Sequence, residues 1–303
     1  MRVVDLFAGA GGLSHGFKSA GYNLVSAYEY WDLAANVYEK NHEHKVNRTD
    51  LSEFNNYSEI SELKPDIIIG GPPCQDYSSA GKRDEGLGRA SLTIKFAEII
   101  CNIKPKYFLM ENVPLIEKSP TYNKAKKMFS DAGYGLSSIV IDASRCGVPQ
   151  KRKRFILFGT LRGKNDVLIP FIEKSLSLNP MTVRDYLGVS LGVEHYYRHP
   201  RSYARRGVFS IDEPAPTVRG VNRPIPAGYK GHPTDTAPVT ENIRALTTLE
   251  RSLLQTFPSD YFSDEIPKTH LEQMIGNAVP PKLGEFIGKA IKEYVENEKI
   301  VVS

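Results

Sequence analysis

The stretch Asp66-Ile67-Ile68-Ile69-Gly70-Gly71-Pro72-Pro73-Cys74-Gln75 decides how the chain is read. Its first part is a short β-branched apolar run, the pattern of a buried strand. Two glycines and two prolines then stop the strand abruptly. One cysteine is thereby set on a stiff turn at the carboxyl end of a central strand, the edge at which open α/β sheets bind ligands. A thiol of ordinary pKa, about 8.5, attacks as its thiolate. Proline fixes φ, so such a turn can aim the sulfur. Taken alone, Cys74 is equally well a small buried hydrophobe; the rest of the chain tips the balance.

Working outward, Val3-Val4-Asp5-Leu6-Phe7 reads as a first strand. It enters a turn at Ala8-Gly9-Ala10-Gly11-Gly12, and Leu13 to Phe17 opens a helix. Strand, glycine turn and helix begin a doubly wound nucleotide-binding fold. The spacing departs from the dinucleotide fingerprint, because Ser14 stands where the third glycine belongs. Leu24 to Glu29 reads as a second strand ending in an acid about 20 residues on, which suits a ribose hydroxyl pair. Tyr30 can stack on an adenine, and Asp50 follows in the order needed to meet the same ligand. Tyr107-Phe108-Leu109-Met110 is a further strand ending in Glu111-Asn112-Val113. Burial at that edge would raise the Glu111 pKa and let it donate a proton. Tyr134 to Ile141 alternates as a strand pointing back. Gln150-Lys151-Arg152-Lys153-Arg154 is a basic cluster abutting the buried strand Phe155 to Phe158, so some of its side chains should enter the cleft.

The 303 residues allow one large domain or two unequal ones. Composition is 41% hydrophobic and 24% charged, ordinary for a globular protein. A net charge of +4 permits a polyanionic partner without requiring one. No apolar run is long enough for a membrane span, and Met1 to Asp5 is no signal peptide. Three scattered cysteines argue for a reducing compartment over a disulfide framework. Asp76 to Gly88 is polar and glycine-containing, the composition of a surface loop. Periodicity fades at about Arg162 and returns near Arg244. Between them Arg198, Arg201, Arg205, Arg206, Arg219 and Arg223 interleave with Tyr196, Tyr197, Tyr203, Phe209 and Tyr229, a composition suited to phosphates, guanine edges and stacking. His195 and His199 have metal-like spacing but no second ligand pair, so no metal is expected. Thr247 or Thr248 should cap a helix with Glu250 in its first turn. The closing helix carries Leu283, Phe286, Ile287, Ala290, Ile291, Tyr294 and Val295 on one face and should pack on the first domain.

Six segments in this order resemble the DNA (cytosine-5) methyltransferases of the bacterial modification type: Asp5 to Gly12, Gly70 to Ser78, Glu111 to Val113, Gln150 to Arg154, Arg244 to Pro258, and Gln273 to Pro281. The resemblance spans nearly the whole chain. One departure is Leu253, where the family often has arginine. The resemblance implies a Rossmann-like methyltransferase domain over 1–161, an irregular target-recognition domain over 162–243, and a segment 244–303 returning to the first. It implies S-adenosylmethionine as cofactor, S-adenosylhomocysteine as product, and double-stranded DNA as partner. Phe7, Gly9, Gly11, Leu13, Glu29, Tyr30, Asp50, Pro73, Leu92, Asn277, Ala278 and Val279 would line the cofactor pocket. Cys74 would be the nucleophile, Glu111 the acid at cytosine N3, and Arg154, supported by Arg152, a clamp on the base. Arg201, Arg205, Arg206, Thr217, Arg219 and Arg223 would meet DNA, and Asp76 to Gly88 would close over the flipped base. A cytoplasmic, nucleoid-associated bacterial monomer without an obligate protein or membrane partner is expected. An RNA cytosine methyltransferase, a nicotinamide-dependent dehydrogenase and a catalytically dead DNA-binding module are the competing readings.

Overall fold

The computed structural model describes residues 1–73, 90–202 and 204–302. β1 (Arg2–Leu6), α1 (Gly12–Ser19), β2 (Asn23–Tyr28), α2 (Asp32–Asn41) and β3 (Val46–Asn47) form the first winding. α3 (Tyr57–Glu62), β4 (Ile67–Gly70), α4 (Ala90–Ile103) and β5 (Tyr107–Asn112) form the second. The sheet is completed by β6 (Tyr134–Asp142), reached through α5 (Pro120–Asp131), and by β8 (Lys153–Leu161), which follows the short β7 (Gln150–Lys151).

Strand order is β3-β2-β1-β4-β5-β8-β6. Strands β3, β2, β1, β4 and β5 are mutually parallel, and β8 is antiparallel to both neighbours. β6 therefore runs the same way as β5, and the reversed strand is β8. The reason is connectivity. A full helix, α5, carries the chain back before β6, whereas only residues 143–149 separate β6 from the β7–β8 return, as a hairpin requires. Buried strands on both faces read as continuous apolar runs, which is why Ile67-Ile68-Ile69 and Phe108-Leu109-Met110 are fully buried.

α6 (Ile169–Ser175) follows the sheet. Its Leu168 and Ile172 neighbourhood belongs to the same apolar core as Val3, Leu13 and Phe17. α6, beyond residue 162 where composition shifts, thus packs with the sheet domain. α7 (Val183–Leu187), β9 (His195–Tyr197), β10 (Val208–Ser210) and β11 (Ala215–Pro216) build a small lobe. β11 pairs with β7 and joins this lobe to the basic cluster.

α8 (Thr248–Leu254), α9 (Lys268–Asn277) and α10 (Pro281–Val302) close the chain. Thr247 and Glu250 form a reciprocal capping box at the start of α8. Leu283, Ile287, Ala290, Ile291, Tyr294 and Val295 of α10 enter the core with α1, as their spacing predicts. The approach is close: a Cβ on Gly16 would lie 2.4 Å from the Pro281 carbonyl oxygen. Among the described residues no helix is long and apolar enough to cross a membrane.

Candidate active site

The parallel strands bring their carboxyl ends to one edge, and a cleft of about 1820 Å³ opens there. One end is the glycine turn. Phe7 and Gly9 have positive φ, 58° and 55°, and the Gly9 N–H donates to Glu29 Oε2 at 2.8 Å. The Trp31 N–H donates to Oε1 of the same carboxylate at 2.8 Å. Glu29 is therefore pinned one residue past β2 by main-chain donors, while burial raises its pKa. A Cβ on Gly9 would meet nothing within 4 Å, so the turn presents bare backbone to the cleft. A Cβ on Gly12 would lie 2.2 Å from the Val279 carbonyl, so the start of α1 packs directly on the 277–279 turn. Asp50 caps a 3-10 turn through the Ser52 N–H at 2.9 Å, and Tyr30 is two-thirds exposed.

Phe7, Gly9, Leu13, Glu29, Tyr30, Asp50, Pro73, Leu92, Asn277, Ala278 and Val279 all line this cleft. Gly11 does not. It caps α1 at φ +88°, and its Cα faces Tyr38, His42 and Tyr261. An anchored carboxylate, an open backbone turn and an exposed aromatic ring fit a nucleoside with a charged tail.

Beneath the turn lies a polar network for which sequence pattern gave no warning. Ser14 donates to Asp5 Oδ2 at 2.7 Å, and the Tyr38 hydroxyl donates to Ser14 at 2.8 Å. Burial raises the Asp5 carboxyl to about 7. The residue that breaks the dinucleotide fingerprint thus has its own partner. Its hydroxyl solvates a carboxylate at the end of β1.

At the other end of the cleft stands Glu111, the fifth residue of β5. Arg154 Nε lies 2.7 Å from its Oε1, and both side chains are nearly buried. Burial raises the Glu111 pKa, against the lowering influence of Arg154 and Arg152. The antiparallel register of β5 and β8 creates this pair, because Asn112 opposes Phe155 and Arg154 comes next. Asn112, next to Glu111, donates from Nδ2 to the Pro72 carbonyl at 3.1 Å and accepts from the Val113 N–H. It fixes the proline turn against β5. Cys74, one residue past that turn, lies outside the described residues, as do Asp76 to Gly88.

Arg152, the expected support of Arg154, lines the cleft. Its buried guanidinium donates to the carbonyls of Val218, Gly276 and Ala278 at 3.1, 3.0 and 2.9 Å. It braces the small lobe against the 277–279 turn. Gln150 is also buried, donating to Gln255 Oε1 and accepting from the Val218 N–H. Lys151 and Lys153 are exposed. Alternation along a strand divides the basic cluster into inward braces and outward charges.

The small lobe forms the facing wall. Arg201, Arg205, Arg206, Thr217, Arg219 and Arg223 line it. Arg206 is paired with Glu213 and sits over the Phe209 ring at 4.2 Å. The Thr217 hydroxyl donates to the Lys151 carbonyl at 2.7 Å. Arg201, Arg205 and Arg223 are exposed, and Arg219 is half-buried. Arg251, exposed in few atoms, pairs with Glu272 and reaches the Arg219 carbonyl. Among the described residues no cluster of three metal-binding side chains occurs.

A doubly wound sheet with a carboxylate-lined cleft, faced by an arginine-rich lobe, defines an enzyme of nucleoside-bearing and polyanionic ligands. Known proteins narrow this. The sequence pattern of the C-5 cytosine-specific DNA methylases matches residues 1–293, and the chain belongs to that family. It is 54% identical over 302 residues to the type II methyltransferase M.HindV of Haemophilus influenzae, covering 99% of each chain. It is 48% identical over 301 residues to M.HgiDI of Herpetosiphon aurantiacus, covering 99% of this chain and 97% of that protein. The fold matches the Dnmt2 methyltransferase of S. pombe at TM-score 0.73 and 18% identity, covering 99% of both chains. The chain is a DNA cytosine-5 methyltransferase.

Proposed function

We propose that the protein methylates carbon 5 of a flipped-out cytosine within a short double-stranded DNA sequence, through a covalent Cys74 adduct, and so protects DNA from a cognate restriction endonuclease. The observation that carries this reading is the buried Glu111–Arg154 pair, 2.7 Å apart, beside a proline turn anchored by Asn112. S-adenosylmethionine, held by the glycine turn, Glu29, Tyr30 and the 277–279 turn, supplies the electrophilic methyl group.

Carbon 5 of cytosine is a weak nucleophile. Addition of the Cys74 thiolate to carbon 6 makes it an enamine carbon. Glu111 stabilises that state by giving its proton to, or sharing it with, N3. A carboxyl whose pKa is raised by burial keeps its proton at a higher pH than an exposed one. Arg154 holds the carboxyl in place and offers N–H groups to the base. Loss of the C5 proton to a water-borne base then expels Cys74. A stacked base cannot be reached this way, so the cytosine leaves the duplex at a cost of a few kcal/mol. The recognition lobe follows α6 and ends near Arg244, and the enzyme works as a monomer in the bacterial cytoplasm.

Expression in a host without cytosine methylation, followed by bisulfite sequencing, tests the reading. One short motif should be protected, and Cys74→Ala should abolish protection. Unmethylated DNA beside well-folded wild-type enzyme contradicts it.

A further inference from the structure

The six candidate DNA-facing groups are held in physically different ways, and the difference sorts them. Segment 217–222 follows the end of β11 and is neither helix nor strand, yet its main chain is hydrogen-bonded at Thr217, Val218, Arg219 and Val221. The Thr217 carbonyl accepts from Arg198 at 2.9 Å. The Val218 N–H donates to Gln150 at 2.8 Å, and its carbonyl accepts from Arg152 at 3.1 Å. The carbonyls of Arg219 and Val221 accept from Arg251. Gly220 lies flat on α9, since a Cβ on Gly276 would be 2.1 Å from the Gly220 nitrogen. Asn222 is tied to the Leu246 carbonyl at 2.7 Å. The partners Gln150, Arg152 and Arg251 are themselves buried.

The result is a ledge with a fixed backbone in the wall of the cleft. Arg219 projects from it. Its Nη2 donates to the His199 carbonyl at 2.6 Å, while its Nε is buried and has no hydrogen-bond partner among the described residues. By contrast Arg205 is exposed, its main-chain N–H donating to the Ser202 carbonyl at 3.0 Å. Lys151 is exposed at the cleft beside Arg152.

Reading a base edge demands a side chain held to a fraction of an ångström, because the wrong base is rejected only if the fork cannot follow it. Holding a phosphate makes no such demand. We infer that Arg219 is a specificity-determining residue that reads a guanine edge in the major groove from this ledge, while Arg205 and Lys151 hold phosphates. This rests on the proposed DNA methylation and assigns roles within it.

The test has two arms. Wild type first defines the methylated motif by bisulfite sequencing; failure there strikes the proposed function and leaves this inference without a subject. With the motif in hand, Arg219→Gln and Arg219→Lys should lose discrimination at one guanine position by roughly tenfold or more. Lysine should fail like glutamine, because a point charge lacks the two-pronged fork. Arg205→Gln and Lys151→Gln should keep the motif, weaken binding to all duplexes alike, and each reduce the slope of log affinity against log salt by about 1. Against misfolding of the variants, wild-type enzyme is also assayed on duplexes carrying 7-deazaguanine at each motif guanine in turn. One substitution should weaken binding about tenfold or more. An unchanged motif in folded Arg219→Lys, or indifference of wild type to every 7-deazaguanine, overturns the assignment.

Discussion

The two walls of the cleft acquire their order differently. On the side of the glycine turn and Glu111, four of the groups stand at or beside the end of a strand. Asp5, Glu29, Gly70 and Glu111 fall where parallel β1, β2, β4 and β5 stop, and sheet register alone brings them together. On the recognition side nothing comparable exists. Order there comes from buried side chains of distant segments, with Gln150, Arg152 and Arg251 bonding the main chain of Val218, Arg219 and Val221. A site made of strand ends inherits the rigidity of the sheet. A site made of loops must be braced one carbonyl at a time, and the braces can stay while the reading side chains change.

The largest effect should come at the strand-end wall. Glu111→Gln keeps the shape but removes the proton, and methylation should fall by roughly 10²- to 10⁴-fold in kcat with little change in DNA affinity. A loss confined to KM would place Glu111 outside the chemistry.

Next come two glycines, one for each wall. Gly12→Ala drives a methyl into the Val279 carbonyl, and Gly276→Ala drives one into Gly220. Both contacts are with backbone, so each should cost roughly 1–3 kcal/mol in urea unfolding. Gly12→Ala should chiefly weaken S-adenosylhomocysteine binding, and Gly276→Ala should chiefly weaken DNA binding. Equal effects on both ligands would mean that the walls are not separately built.

Asp5 gives a smaller, pH-dependent signal. Its folded pKa is about 7, above the unfolded value, so between about pH 4 and 7 the folded state holds a proton that the unfolded chain has lost. Stability from this group is complete below pH 4 and declines as pH rises towards 7, by at most about 1.4 kcal/mol per unit. Asp5→Asn should flatten that part of the stability curve relative to wild type. An identical slope would show that the carboxyl is ionised throughout. The smallest effect belongs to Thr247→Ala, which opens the capping box of α8 and should cost about 1 kcal/mol without altering the methylated motif.

The same contrast explains how far the sequence could be read. Ile67-Ile68-Ile69 before two glycines, and Glu111 after an apolar run, declare strand ends because period and punctuation are local signals. The pairing of Thr247 with Glu250 and the apolar face of α10 are equally local. The orientation of β8 is not legible in its own residues, since reversal depends on whether a crossover helix such as α5 intervenes. The carbonyl partners of Arg152 are not legible, because a basic run does not show which side chains turn inward. Alternation does, and it separates buried Gln150 and Arg152 from exposed Lys151 and Lys153. Asn112 was visible only as a motif letter, whereas its bond to Pro72 spans 40 residues. The ledge could not be seen at all, for its partners lie 19 to 68 residues away and follow no period.

The central claim is that the β4 turn and the end of β5 act on one cytosine. Duplex DNA carrying 5-fluorocytosine at the target position tests it most directly, because fluorine at carbon 5 cannot leave as a proton does. In the presence of S-adenosylmethionine, wild type should form an adduct that survives denaturing electrophoresis. Cys74→Ala should form none, and Glu111→Gln should form it far more slowly. An adduct that persists in Cys74→Ala, or no adduct from active wild type, would contradict the account.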